Sequence, residues 1–343
     1  MKRHSIPLLF PGSLVVLGLC LLLPAGAVGK DLPSLDGLEA EVERVLSALD
    51  VPGVGLAVVQ DGEVVLARGY GVRQVGEPDP VEADTRFGIA SNSKAFTCAA
   101  LSILVEEGKL AWDDPVTRHV PELEMHDPWV TRELTVRDLV THRAGLGLGA
   151  GDLMWWPPTN HTRDEIIAGV RHLEPATSFR TTYAYNNIMF VVAGEVVARV
   201  SGLPWGEFLE ERILKPLGMS DTTTSASARL PGRELATPHV HVGGEAQPMR
   251  VMSFENAAGA VGVNSTAADM ARWLLMLLEC SREEDVPEGQ ACVLNSDSIR
   301  QMWSSQTIMR TRKPPAELAA LESDFAAYGL SLIHISEPTR RRD

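Results

Sequence analysis

A serine and a lysine three residues apart stand where the most apolar predicted helix begins. Ser91 and Lys94 form the ends of a Ser-Asn-Ser-Lys string, and positions three apart lie on one helical face. A serine hydroxyl becomes a useful nucleophile when a base takes its proton, and an amine serves if burial lowers its pKa. The helix N-terminus adds free N–H groups near a developing oxyanion. The pair predicts acyl transfer; the alternative is a capping serine followed by a solvated lysine.

A second polar group, Tyr185-Asn186-Asn187, precedes a later apolar stretch. A tyrosine can share a proton with an amine, and an asparagine can hold both a lysine and a substrate amide. Taken alone, this string is more typical of a turn followed by a helix cap. Its chemistry therefore depends on whether Tyr185 and Asn187 meet Ser91 and Lys94 in space.

The elements that must position these side chains begin with a hairpin. Two apolar runs, Gly53–Val59 and Val64–Ala67, are joined through Asp61-Gly62, a strong hairpin signal. Residues 92–108 are apolar on nearly every side, which predicts a helix buried in the middle of the protein. Two strands alone make no stable sheet, so further strands must come from residues 230–263 or from sequence beyond Gly329. Other helices are predicted at 35–49, from Thr135, from Thr162, at 187–200, at 205–214 and from Thr266 to Leu278.

Several separated segments resemble, in order, the β-lactamase-related serine hydrolases of class C type, a group that includes penicillin-binding proteins and D-aminopeptidase-like esterases. The resemblance spans roughly Leu35 to Gly329. The segments are Val51–Val59, Gly69–Gly71, Asp84–Lys94, Glu107–Leu110, Asp114–Val116, Leu134–Leu146, Pro216–Met219, Ala257–Gly262 and Asp269–Trp273. The resemblance implies an α/β (α+β) fold of the serine β-lactamase and transpeptidase type, with an antiparallel sheet flanked by helices and a helical lobe.

The resemblance also implies roles for the four polar residues. Ser91 would form an acyl-enzyme with a β-lactam, a D-amino-acid peptide or an ester, and water would release the acyl group. Lys94 and Tyr185 would shuttle the proton, and Asn187 would orient Lys94 and the substrate. Whether Lys94 or Tyr185 is the base stays open, and no cofactor or metal is implied. The alternatives are a penicillin-recognising receptor that is acylated without turnover and a non-catalytic scaffold of the same fold.

Both ends of the chain carry signals of their own. Lys2 and Arg3, a following apolar stretch and Ala25-Gly26-Ala27 indicate a cleaved signal peptide over residues 1–27. This predicts a secreted or periplasmic protein with no stable membrane span after cleavage; the alternative is an uncleaved membrane anchor. Residues 330–343 resemble a translated sequencing-library adapter, and we interpret them as an artefact.

The natural domain would then be residues 35–329, incomplete at its C-terminus. Nothing after Ala327-Tyr328-Gly329 matches the family's third element, a Lys- or His-containing triad with glycine on a late strand. That strand would supply an oxyanion donor and a wall of the cleft. We therefore expect late strands of the sheet to be missing, and this exact polypeptide to be inactive and poorly stable. Turnover and thermal stability equal to those of a C-terminally complete homologue would contradict this.

The net charge limits which molecules can be partners, and the cysteines limit which disulfides can form. The net charge is −14, which is unsuited to neutralising phosphates and argues against nucleic acid as a partner. A small-molecule or peptidoglycan-like substrate is expected, whereas the sequence leaves the oligomeric state unknown. Export permits disulfides, so Cys280 and Cys292, which flank a polar loop, either pair or stay free. Cys98 is expected to be a small buried hydrophobe.

Overall fold

An antiparallel hairpin and a group of buried helices form the framework of the protein. The computed structural model describes residues 35–228, 235–282, 286–311, 323 and 325–336, so the predicted signal peptide lies outside the described residues. The helices are α1 (Leu38–Leu49), α2 (Ser93–Glu106), α3 (Pro128–Glu133), α4 (Val136–Leu139), α5 (Arg163–Gly169), α6 (Ile188–Ser201), α7 (Trp205–Leu209), α8 (Ala258–Val261), α9 (Ala267–Glu279) and α10 (Ser296–Trp303). The strands are β1 (Gly53–Gln60), β2 (Glu63–Gly71), β3 (Phe87–Gly88), β4 (His239–Val242), β5 (Glu245–Pro248), β6 (Asn264–Ser265), β7 (Thr307–Met309), β8 (Phe325–Tyr328) and β9 (Ile333–Ser336).

The predicted N-terminal hairpin is confirmed. β1 and β2 pair antiparallel, with Gly53 opposite Gly71. Asp61 and Gly62 join them with φ angles of 49° and 80°, the left-handed values that a two-residue hairpin turn of type I′ needs. α9 packs against both strands. Gly55 lets α9 come close, since a Cβ there would lie 3.3 Å from the side chain of Ala267.

Two buried helices, α2 and α6, form the centre of the protein. All side chains of α2 from Ser93 to Leu104 are buried, as its all-round apolar sequence predicts. α6 packs against both α2 and α8. A Cβ on Gly259 would lie 2.5 Å from the carbonyl oxygen of Phe190, so the contact between α6 and α8 requires glycine there. This contact matters for the site, because α8 carries the carbonyl of Ala260.

None of the described helices is by itself long and apolar enough to cross a membrane. Only α6 together with Trp205–Leu214 meets the length and composition criterion, as a pair bent by 74°. The predicted helix over 205–214 is in fact divided, since α7 ends at Leu209 and a π-helical turn follows over Glu210–Leu214. Most of α6 is buried in the core of the protein.

The remaining strands do not extend the N-terminal hairpin within the described residues. β4 and β5 pair only with each other, although strands from residues 230–263 were one expected source of partners for β1 and β2. β7, β8 and β9 form a separate antiparallel sheet, so residues 307–309 and 325–328 form strands that the sequence did not predict. The expectation that still later strands are missing stays a prediction. β9 falls within residues 330–343; its pairing with β8 says nothing about the origin of that segment, which stays a prediction.

Local sequence signals set several helix ends. The helices predicted from Thr135 and Thr162 begin with capping boxes, formed with Asp138 and Glu165, in which each side chain bonds the other residue's backbone N–H. The disulfide between Cys280 and Cys292 is present, and it closes the loop that follows α9. Cys98 is fully buried as a free thiol, as expected.

Candidate active site

Ser91 lies in a single 3₁₀ turn, Ala90–Asn92, immediately before α2. The side chain of Ser91 is exposed, whereas Lys94 one turn later is only 1% exposed. Ala90 has a φ of 46°, a left-handed conformation that non-glycine residues rarely adopt. Two hydrogen bonds to the backbone of Val263 hold this turn. The N–H of Ile89 donates to the carbonyl oxygen of Val263, and the N–H of Val263 donates to Ser93 Oγ. The position of Ser91 therefore depends on the segment between α8 and β6.

The structure brings the four predicted side chains together. Lys94 Nζ lies 3.0 Å from Ser91 Oγ, 2.9 Å from Asn187 Oδ1 and 3.2 Å from the carbonyl oxygen of Ala260. Ser91 Oγ also lies 2.6 Å from Tyr185 Oη. The hydroxyl, amine and phenol thus form one continuous hydrogen-bonded group at the tip of a buried helix. The catalytic role of these residues stays a prediction.

Lys94 has the surroundings of a base rather than of a surface cation. Burial lowers its pKa from 10.5 to about 7, although the charge of Asp152 acts in the opposite direction. The rings of Tyr185 and Phe190 flank the amine, with centroids 5.0 Å and 5.4 Å from Nζ. Near neutral pH a large fraction of Lys94 is therefore uncharged and has a free lone pair.

The three neighbours of Lys94 match a neutral amine, which has two N–H donors and one lone pair. Asn187 Oδ1 and the carbonyl of Ala260 can only accept hydrogen bonds, so they take the two N–H groups. Nζ lies within donating distance of the third neighbour, Ser91 Oγ, when it is an ammonium. When it is neutral, its lone pair is left for this hydroxyl, which can then donate its proton to the amine.

Tyr185 is held as a neutral phenol. Burial raises its pKa above the ordinary value of 10, a hydrogen bond to Ser91 lowers it less, and Asp152 raises it further. Its ring packs against the ring of His142, with centroids 4.4 Å apart. A neutral phenol bonded to Ser91 can pass a proton along, whereas a phenolate is disfavoured here.

His142 has a structural role beside the site. Its Nδ1 accepts the backbone N–H of Asn186, and its ring is 2% exposed. Burial, and to a lesser degree Lys94, lower the pKa of His142 well below its ordinary value, so it is neutral. It contacts an aromatic cluster made of Tyr183, Tyr185, Phe190 and Tyr328.

Asp152 belongs to the site although no sequence pattern indicated it, and Asn186, named so far only as part of the Tyr185-Asn186-Asn187 string, supports its loop. Asp152 accepts the amide N–H groups of Asn187, with Nδ2 at 3.2 Å and 3.0 Å from its two oxygens. The amide of Asn186 donates to the carbonyls of Gly147 and Ala150, which fixes the loop that carries Asp152. No motif or residue spacing in the sequence indicates a role for Asp152, because it is an isolated acid in a glycine-rich loop.

A metal site is not formed by the part of the chain that the structure describes. No three His, Cys, Asp or Glu side chains lie together there as metal ligation requires. His239 and His241 lie on β4, and His241 Nε2 is 3.0 Å from Asp50. The expectation of cofactor-independent chemistry stays a prediction.

The sequence is similar to known proteins over most of its length. A family model described as Beta-lactamase matches residues 38–331. The unguisins hydrolase ungD′ of Aspergillus campestris is 31% identical over 285 residues, which cover 80% of this chain and 51% of that protein. Protein Rv1367c of Mycobacterium tuberculosis is 30% identical, with 90% of this chain and 81% of that protein covered.

Solved structures show the same fold. The octameric penicillin-binding protein homologue from Pyrococcus abyssi is similar with a TM-score of 0.71 and 27% identity, over 88% of this chain and 65% of that one. This chain spans about half the length of the two unguisins hydrolases that it matches. Because the family model covers most of its residues, the chain belongs to the beta-lactamase family and has that family's serine-hydrolase fold.

Proposed function

We propose that the protein is a hydrolase that forms an acyl-enzyme on Ser91, with a β-lactam, a D-amino-acid peptide or an ester as the acyl donor. One observation carries this proposal. The exposed hydroxyl of Ser91 is bonded at once to the buried amine of Lys94 and to the phenol of Tyr185. A serine with a capping role alone has no need of a desolvated amine, whose burial costs free energy.

In the proposed acylation, Lys94 is the base. With the pKa of Lys94 about 7 and that of Tyr185 above 10, the neutral amine and neutral phenol outnumber the ammonium–phenolate pair. The Ser91 proton moves to Lys94 Nζ as Oγ bonds to the carbonyl carbon, and the carbonyl electron pair moves to its oxygen. As the carbonyl re-forms and the bond to the leaving group breaks, Tyr185 gives its proton to the leaving group, and the neighbouring ammonium of Lys94 returns a proton to the phenolate oxygen.

The same residues serve the proposed deacylation. A water gives a proton to the neutral amine of Lys94 and attacks the ester carbon, and the bond to Ser91 Oγ then breaks as Oγ takes the proton back from Lys94. The backbone N–H of Ser91 lies in the first turn of its helical segment, where N–H groups have no partner within the helix. It is our candidate for one oxyanion donor.

The named relatives support a hydrolase without choosing a substrate. One is called an unguisins hydrolase, and a structural neighbour is called a penicillin-binding protein homologue. We propose a small-molecule or peptidoglycan-like substrate, met after export through the predicted signal peptide. The acidic composition supports a partner other than nucleic acid.

The test is covalent labelling of the protein. A fluorescent penicillin and a fluorophosphonate are incubated separately, and the labelled peptide is mapped by mass spectrometry. We expect label on Ser91, no label in Ser91→Ala, and normal label in the control Ser305→Ala, which changes an exposed serine.

The time course separates the remaining possibilities. A hydrolase releases product and recovers free Ser91 after penicillin or ester treatment. A long-lived adduct without product would instead indicate a receptor that is acylated but does not turn over. If neither probe modifies Ser91, the proposed function is wrong and a non-catalytic scaffold is left.

A further inference from the structure

We propose that Asp152 is a positioning residue that acts through Asn187, orienting the amine of Lys94 toward Ser91 and balancing its charge once it has taken the serine proton. The inference deepens the proposed function and rests on it for its catalytic meaning. It rests on a chain of contacts in which a carboxylate, an amide and an amine follow one another. Neither the motif residues nor the family resemblance pointed to this acid.

The first step concerns the amide of Asn187. An asparagine amide can be turned by 180°, which exchanges an acceptor oxygen for a donor nitrogen. An ionised carboxylate only accepts, so Asp152 holds the nitrogen of Asn187, at 3.2 Å and 3.0 Å, on its own side. The oxygen is then left facing Lys94 Nζ at 2.9 Å. Without Asp152, the amide has no fixed preference, and a turned amide would set N–H groups against the amine.

The second step concerns charge. Three titratable side chains act on Lys94: the phenol of Tyr185, the imidazole of His142 and the carboxylate of Asp152. The first two are neutral, and the carbonyl of Ala260 and the ring of Phe190 carry no charge. Among the described residues, Asp152 is therefore the acid whose field reaches Lys94, and it favours the ammonium that proton transfer creates.

The third step concerns how a loop residue reaches the site. Gly151 has a φ of 81°, and a Cβ there would lie 2.7 Å from the side chain of Ile188 and 2.9 Å from that of Leu173. The loop thus packs directly on the start of α6, where Asn187 stands. On the other side, Trp155 Nε1 donates to Asp152 Oδ1 at 3.2 Å, and Trp155 is buried. The carboxylate is held from two directions.

The deciding measurement is the titration of Lys94 itself. The chain has six lysines, so labelling the lysine ε-carbons with ¹³C gives a simple NMR spectrum, assigned with Lys94→Met. In Asp152→Asn we expect the acid dissociation constant of the Lys94 ammonium to rise about tenfold, because its countercharge is lost. Asp152→Glu keeps a charge and should stay within about threefold of the wild type. Asp114→Asn removes a part-buried carboxylate paired with Arg118 and His119, and should leave Lys94 unchanged.

A second measurement ties the titration to chemistry. The rate at which the fluorophosphonate modifies Ser91 is followed against pH by intact mass. In Asp152→Asn the acidic limb of the profile should move to lower pH while the plateau rate falls about tenfold or more. A merely structural carboxylate would lower the melting temperature and leave the acidic limb in place.

The outcomes separate the two proposals. If Lys94 titrates alike in the wild type and in Asp152→Asn, the inference is overturned. If Asp152→Asn does not fold, Asp152→Glu decides, because a tenfold change there would contradict a role based on charge. If wild-type Ser91 is never modified, the proposed function fails, but the lysine titration still decides whether Asp152 governs Lys94.

Discussion

Replacing Lys94 by methionine should change how the stability of the protein depends on pH. Lys94 is 1% exposed, and burial lowers its pKa from 10.5 to about 7. In the unfolded chain the amine is in water and keeps its ordinary pKa. Between pH 7 and pH 10.5 the unfolded state therefore binds a proton that the folded state does not, and the wild type gains stability as the pH rises. The Lys94→Met protein lacks this contribution.

The expected size follows from linkage. The free energy of unfolding of the wild type, relative to Lys94→Met, should increase by about 2 kcal/mol between pH 7 and pH 9. Between pH 6 and pH 7 the increase should be less than about 0.5 kcal/mol, because both states then hold most of the proton. Methionine also removes the bonds to Asn187 and Ala260, but those losses are the same at every pH and cancel in the comparison.

The measurement is urea unfolding of the full-length protein at pH 6, 7, 8 and 9, followed by tryptophan fluorescence. Lys215→Met is the matched control, since it removes a lysine that is exposed and so loses little solvation on folding. Parallel stability curves for the wild type and Lys94→Met across this range would refute the reasoning. So would a control that changes with pH as strongly as Lys94→Met does.

Three further changes test other contacts. Tyr185→Phe should slow fluorophosphonate modification of Ser91 at least about 100-fold, because the phenol can no longer pass a proton, and rates near the wild type would contradict this. Replacing both Cys280 and Cys292 by serine should lower the free energy of unfolding by about 3 kcal/mol, measured in urea, because their bond closes a short loop; an unchanged midpoint would count against it. Asp138→Asn should cost about 2 kcal/mol in the same assay, because it removes a buried carboxylate that bonds the part-exposed Arg143 and Arg180. Burial raises the pKa of Asp138, but hydrogen bonds, that of Arg180 first, lower it overall, so the loss should shrink below pH 3.8; a loss under about 1 kcal/mol at pH 7 would be inconsistent with this.

The features that the sequence predicted well are those determined by residues close together in the chain. The turn of the N-terminal hairpin needs two left-handed residues, and Asp61-Gly62 supplies them. The capping boxes are complete within four residues, and the burial of α2 follows from its composition alone. Ser91 and Lys94 belong to this group, since a three-residue spacing on a helix already places the two side chains together.

Tyr185 and Asn187 are a different case. They lie more than ninety residues from their partners, Ser91 and Lys94. The local sequence pattern predicted only a turn followed by a helix cap. Only the family resemblance implied that these residues act together with Ser91 and Lys94. Their proximity in space is set by the path of the chain between α2 and α6. That path depends on packing rather than on any short string of residues.

Asp152 was beyond the reach of sequence patterns for the same physical reason. Glycines around it predict a loop without a defined shape, and its conformation is set by distant partners. Asn186 fixes the loop through the carbonyls of Gly147 and Ala150, and Gly151 packs on Ile188. β4 and β5 show a related limit, because their residues predict strands but not which strands they pair with.

The pH dependence that Lys94 gives to stability and the proposed chemistry share one cause, the removal of Lys94 from water. Desolvation costs free energy whenever the amine is charged, and the same cost makes the amine neutral and able to accept the proton of Ser91 near neutral pH. Asp152 moderates the effect, because a nearby carboxylate lowers the cost of the ammonium that appears during acylation. A variant that relieves the cost by replacing Lys94 should therefore lose modification of Ser91, whereas one that removes Asp152 should keep the base and shift its working pH downward.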